Sequence, residues 1–184
     1  MEILKTPIEG LLVIKPKVYG DSRGYFLESF RLSEFREHGI DFNFVQDNIS
    51  KSKKGTIRGL HYQIREMAQG KLCQVIYGKV LDVAVDIRFN SPTFGKYYSA
   101  ILSEDDHSQL WIPPGFAHGF SVLSDEAIFY YKCTQYYSKE HERAIRFDDP
   151  QLSISWQIDN PIVSEKDLSA KLLKDIDRDF FYNK

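Results

Sequence analysis

Short runs of β-forming residues follow one another from residue 11 to residue 137, broken by turn residues. They cover 11–15, 25–30, 43–50, 56–63, 72–77, 80–87, 97–102, 109–112, 120–123 and 127–137. Around ten such short runs at close spacing are the pattern of an antiparallel sandwich or jelly roll. Helix signals are confined to two places. Ser33 is placed to cap a short helix through His38, with Gly39 as its stop. Ser164 with Asp167 three residues on has the form of a capping box, opening a helix from Glu165 to Ile176. The expectation is a mainly β chain, an antiparallel jelly-roll sandwich with short helices near the termini.

The clearest alternation sets Leu81, Val83, Val85 and Ile87 against Asp82, Ala84 and Asp86, which predicts a strand with one buried face. Gly78, between two β runs, predicts a hairpin. No linker, repeat or low-complexity tract breaks the 184 residues, so 1–184 reads as a single domain. With 24 basic and 26 acidic residues the formal net charge is −2, which gives no electrostatic footprint for nucleic acid. Cys73 and Cys133 make neither a disulfide framework nor a Cys-x-x-Cys metal pair. No apolar run approaches the roughly 20 residues of a membrane span, and the N-terminus lacks a signal-peptide core, so the expectation is a soluble cytoplasmic protein. Aromatic residues reach 14%, a content that suits β-structure and sites that stack flat ligands.

Polar side chains recur inside segments that otherwise look buried. Asp21–Glu28 contains Arg23 and Glu28, readable by itself as a turn with an ion pair. Gln46-Asp47-Asn48 sits in an apolar-flanked run, with Gln46 and Asn48 on one face, where they can bond one another or the edge of a heterocycle. Arg58-Gly59-Leu60-His61-Tyr62-Gln63 precedes Gln69-Gly70-Lys71 and places an imidazole close in sequence to two cations. Strict alternation would set Arg58 and His61 on opposite faces, so Gly59 is read as a bulge that re-aims them. Tyr131 and Tyr137, six apart, share a face if the strand runs through both, while Tyr130 faces away. The final cluster, Pro113 to His118, has the spacing Pro-x-Gly-x-x-His and resembles the second motif of the cupin superfamily. Metal-binding cupins carry His-x-His in the first motif. Here that place reads His61-Tyr62-Gln63, one imidazole short, and no metal is expected.

Together, Asp21–Glu28, Gln46–Asn48, Arg58–Gln63, Gln69–Lys71, Asp82–Arg88, Pro113–Phe120, Tyr131–Thr134 and Ser164–Asp167 resemble the dTDP-4-dehydrorhamnose 3,5-epimerase family, in order and across nearly the whole chain. The resemblance implies a cupin-type jelly roll, the substrate dTDP-4-dehydro-6-deoxy-D-glucose, and inversion at carbons 3 and 5 without a cofactor. It implies His61 as base, Asp167 as the carboxylate that orients it, Lys71 beside the ketone oxygen, and Tyr131 as the proton donor on the opposite face. It also implies substrate contacts from Arg23, Glu28, Gln46, Asp47, Asn48, Arg58, Lys71, His118, Glu142 and Lys166, a stacking role for Tyr137 on the thymine ring, and a homodimer. Asp82 and Asp86 are expected to point together, without a catalytic assignment.

Other readings remain open from sequence. One is a 3-epimerase, or an epimerase of another nucleotide-linked 4-keto sugar. A second is a metal-dependent cupin, and a third a non-catalytic sugar-binding cupin.

Overall fold

The computed structural model describes residues 1–182. Its strands are β1 (Glu2–Lys5), β2 (Leu12–Lys15), β3 (Val18–Asp21), β4 (Gly24–Leu27), β5 (Gln46–Lys53) and β6 (Ile57–Gln63). There follow β7 (Lys71–Tyr77), β8 (Lys79–Asp86), β9 (Tyr97–Ser103), β10 (Gln109–Ile112), β11 (Phe116–Val122), β12 (Glu126–Cys133) and β13 (Glu142–Ala144). Two short helices are α1 (Leu32–Glu37) and α2 (Glu165–Leu168). Among the described residues no helix is long and apolar enough to cross a membrane.

The strands form a six-stranded sheet, β1-β2-β10-β7-β12-β5, and a five-stranded sheet, β13-β6-β11-β8-β9, with β3 and β4 as a separate hairpin. Every ladder is antiparallel. Val75, Ala84, Leu110, Phe116, Phe120 and Phe129 belong to one buried cluster fed by strands of both sheets. Phe120 from one sheet stacks on Phe129 from the other at 4.2 Å between centroids. Burial of each such ring contributes about 1.5–3 kcal/mol. The architecture expected from the sequence, an antiparallel sandwich in jelly-roll style, is the one observed.

Several local expectations change. Gly78 does not turn a hairpin, because β7 and β8 lie in different sheets. It is a corner, with φ of +79°, where an added Cβ would stand 2.1 Å from the Glu126 carbonyl. Nor has β8 only one buried face. Leu81, Val83, Val85 and Ile87 pack outward against Ile145, Leu152, Trp156 and Leu173, because the chain after β13 folds back over the five-stranded sheet. The opposite face, with Asp82 and Ala84, looks into the sandwich, so polar residues lie inside and apolar ones under the covering segment. A pattern of alternation alone cannot tell which face meets the interior.

α1 starts after Arg31 rather than at Ser33 and lacks a side-chain cap; Phe35, buried against Leu72 and Trp111 of the six-stranded sheet, holds it instead. Ser164 does cap α2, its Oγ accepting from the Asp167 N–H at 3.2 Å, but the helix stops at Leu168. The Arg146 N–H donates to the Lys171 carbonyl, and this bridge draws the chain out of the helix before the expected end at Ile176. Strand pairing here overrides local propensity. The run expected over 120–123 begins at Phe116, so His118 lies within β11.

Candidate active site

β6 carries the centre of the site. Gly59 has φ of +134°, and a Cβ there would stand 2.5 Å from the Gly119 Cα of β11, so only glycine lets the two strands approach. The register between β6 and β11 shifts between His118 and Phe120, opposite this point. Ile57, Leu60 and Tyr62 consequently all enter the outer cluster, and Arg58 and His61 share the inner face. The bulge expected at Gly59 is what brings the guanidinium and the imidazole to one side.

His61 Nε2 lies 2.6 Å from Asp167 Oδ1, and the Asp167 Oδ2 accepts from the Gly59 N–H at 3.4 Å. The imidazole remains about one-third exposed on the cleft side, while Asp167 is buried behind it. Burial pushes the Asp167 carboxyl up. Its hydrogen bond and charge interaction with His61, together with the Gly59 N–H, outweigh that and hold it below the usual carboxylate range. Helix capping and the pairing with His61 coexist, because the backbone N–H of Asp167 serves the first and its carboxylate the second.

That depression has a measurable consequence. A carboxyl whose folded-state pKa lies below its ordinary value of 3.8 contributes stability that is complete above that value and is lost as pH falls through the lowered one. Asp167→Asn cannot titrate. In urea unfolding between about pH 5 and pH 2 it should show a shallower acid limb, with a loss of about 1–3 kcal/mol at neutral pH. An unchanged acid slope would mean that the pair contributes nothing to folding.

Across the cleft, β7 and β12 supply Lys71 and Tyr131 from the six-stranded sheet. Lys71 Nζ stands 5.9 Å from the centre of the Tyr131 ring. Burial raises the Tyr131 phenol to about 12, so it holds its proton at neutral pH. His61 and Tyr131 therefore line one cleft from the two opposing sheets, with Lys71 and Glu142 at its wall.

His118 is the cross-strand partner of His61. Its Nε2 lies 2.7 Å from Asp82 Oδ1 and 3.8 Å from Cys73 Sγ, in full burial, and desolvation lowers its pKa although Asp82 opposes the shift. Cys73, Asp82 and His118 are the only set of three or more His, Cys or acidic side chains among the described residues whose ligand atoms converge closely enough to hold an ion. The 2.7 Å separation fits a hydrogen bond better than two ligands on one metal, which stand about 3.3 Å apart at tetrahedral zinc distances.

At the rim, Glu142 accepts from Tyr137 Oη at 3.0 Å and pairs with Lys166 Nζ at 2.5 Å. Lys166 and Asp167 are neighbours on α2, so this helix serves both the rim and the imidazole. Gln46 and Asn48 share the inner face and bond one another at 3.0 Å, and Gln46 Oε1 accepts from the Tyr137 N–H at 2.8 Å. Arg58 donates from Nε to Ser52 Oγ at 3.0 Å.

One expectation is corrected, and three of the expected contact residues lie away from the cleft of the single chain. The parity argument for Tyr137 fails, because β12 ends at Cys133; Tyr137 reaches the cleft from the following loop. Asp47 points to the other face of β5, where it meets Lys132 at 2.9 Å and Tyr130 Oη at 3.1 Å, as alternation along a strand requires. Arg23 and Glu28 do not join the cleft within one chain. Arg23 is exposed on the β3–β4 hairpin and paired with Asp21, and Glu28 just beyond it pairs with Arg31. Gln63, at the position of the missing imidazole, also lines the cleft, and its place two residues after His61 on β6 is the sequence signal for it.

The family model described as dTDP-4-dehydrorhamnose 3,5-epimerase matches residues 5–175. The chain is 52% identical to the dTDP-4-dehydrorhamnose 3,5-epimerase of Shigella flexneri over 98% of this chain and 99% of that one. It is 48% identical to the enzyme of the same name from Methanothermobacter thermautotrophicus over 94% of each. Among solved structures, dTDP-6-deoxy-D-glucose-3,5-epimerase from Legionella pneumophila Philadelphia 1, in complex with dTDP-4-keto-L-rhamnose, superposes with a TM-score of 0.96. That protein is 51% identical, with 100% of this chain and 99% of the other covered.

Proposed function

The chain belongs to the dTDP-4-dehydrorhamnose 3,5-epimerase family, and from that premise we propose how its own residues invert carbons 3 and 5 of dTDP-4-dehydro-6-deoxy-D-glucose. Both carbons flank the carbon-4 ketone, whose carbonyl acidifies their protons. Removing one gives an enolate, and returning a proton from the other face inverts the centre. The observation that carries this reading is the placement of an imidazole and a protonated phenol on opposing walls of one cleft.

His61 takes the proton. Asp167, 2.6 Å away, fixes the ring and stabilises the imidazolium that forms. The Lys71 ammonium, buried at the wall, stabilises charge on the developing enolate oxygen. Tyr131 delivers a proton from the other sheet and recovers one from solvent between turnovers, while His61 releases its own to solvent. His118, neutral and held by Asp82, lies beside the base as a further donor or acceptor for the sugar. The chemistry uses proton transfers alone, so the reading includes no cofactor and no metal.

The nucleotide lies toward the rim in this reading. Tyr137 offers its ring to the thymine, Gln46 and Asn48 their amides to the base edge, and Arg58, Lys166 and Glu142 polar contacts to the rest of the substrate. Stacking of a base on an aromatic ring contributes roughly 1–3 kcal/mol. Arg23 and Glu28 lie on or next to a hairpin that also exposes Tyr19, Tyr25 and Phe26, an apolar surface suited to a second copy of the chain. We place these two residues in a homodimer, where they approach the partner's cleft. Light scattering should give twice the 21.4 kDa chain mass; a monomer overturns that part.

The test of the activity is a coupled assay with a reductase that accepts only the L-lyxo product. Consumption of the reduced nicotinamide cofactor that depends on this protein supports double inversion. Its absence, with exchange at carbon 3 retained, favours a 3-epimerase.

A further inference from the structure

We propose that Gln63 is a positioning residue for nucleotide binding, clamping the loop that presents Tyr137; this rests on the reading of Tyr137 as the stacking platform. Gln63 follows His61 by two positions on β6 and is 4% exposed. Its amide makes three hydrogen bonds, all to backbone. Nε2 donates to the Met67 carbonyl at 2.7 Å and to the Tyr136 carbonyl at 2.9 Å, and Oε1 accepts from the Ser138 N–H at 2.6 Å. Two of those partners bracket Tyr137.

The loop needs such a clamp because the ring it carries has little packing of its own. Tyr137 is 54% exposed and lies beyond the end of β12, so no ladder fixes it. Its N–H is taken by Gln46 and its hydroxyl by Glu142. A flat side chain offered to a base at that exposure binds well only if its backbone is already ordered, since otherwise binding must order it. The preceding residues are tied in the same way, with Gln69 Nε2 donating to the Gln135 carbonyl and the Gly70 N–H to Thr134 Oγ1, each at 2.7 Å.

The clamp also accounts for the residue type. An amide supplies two N–H donors and a carbonyl acceptor from one planar group. An imidazole at position 63 has two ring nitrogens and makes at most two such bonds. A glutamate would face the carbonyls of Met67 and Tyr136 without a proton to donate. Histidine at this position would complete a metal motif, whereas glutamine makes the strand that carries the base also order the nucleotide platform.

The experiment measures dTDP binding by calorimetry and steady-state kinetics for Gln63→Met, Tyr137→Ala and the double variant. Gln63→Met keeps the length of the side chain and removes all three bonds. It should weaken dTDP about tenfold and raise KM to match, with kcat within about threefold. In the Tyr137→Ala background the same change should cost less than about twofold, because the residue it positions is gone. Normal dTDP affinity in Gln63→Met, beside weakened binding in Tyr137→Ala, overturns the clamp and leaves the platform standing. Full additivity in the double variant overturns it as well, as does failure of Gln63→Met to fold, since either shows a role in the fold at large. Undiminished binding in Tyr137→Ala removes the platform reading, and the clamp with it.

Discussion

His61→Ala loses hydrogen exchange at both carbon 3 and carbon 5, with turnover down by about a thousandfold or more and dTDP affinity within about threefold of the parent. The size follows from what the side chain does. General-base catalysis by a positioned imidazole contributes roughly 10²–10⁴-fold. The neighbouring imidazole does not replace it, since His118 is buried, hydrogen-bonded to Asp82 and depressed in basicity by desolvation. The residues proposed to hold the nucleotide base, Tyr137, Gln46 and Asn48, lie at the rim on other elements, so their loss is not expected. Exchange retained at either carbon would reassign the base for that carbon.

Tyr131→Phe separates the two halves of the reaction. Proton removal by His61 from its own wall continues, and so does solvent exchange at the first carbon attacked. Net inversion falls by about 10²–10⁴-fold, because the proton can no longer be returned from the opposite sheet. The phenol, raised to about 12 by burial, holds its proton at neutral pH and is lost without replacement. Tyr130→Phe is the control. Its hydroxyl donates to Asp47 on the outer face of the sheet, away from the cleft, and inversion should stay within about twofold of the parent. Inversion unchanged in Tyr131→Phe but lost in Tyr130→Phe would reverse the two assignments.

Much of this site was legible in the residues because strands report the side on which their side chains stand. Tyr131 and Tyr130 differ by one position, and the structure places them on opposite faces as alternation requires. Gly59 announced an irregularity, and the register shift beside it brings Arg58 and His61 together. The dyad of His61 with Asp167 spans 106 residues and rests on the family resemblance, since no local pattern brings those two positions together. What stayed hidden depended on distant chain. The extension at Lys171 is set by pairing with Ile145, and the corner at Gly78 by the choice of sheet for β8. The burial of both faces of β8 depends on a segment that returns about sixty residues later. Tyr137 arrived in the expected place by an unexpected route, a loop rather than a strand.

Opposite-face proton transfer is the central claim, and proton NMR of dTDP-4-dehydro-6-deoxy-D-glucose with the protein in heavy water tests it most directly. The expected result is loss of the carbon-3 and carbon-5 proton signals through deuterium incorporation at both positions, with both centres inverted in the product. Inversion without deuterium at either carbon would contradict the account, because no proton would then have passed through His61 and Tyr131.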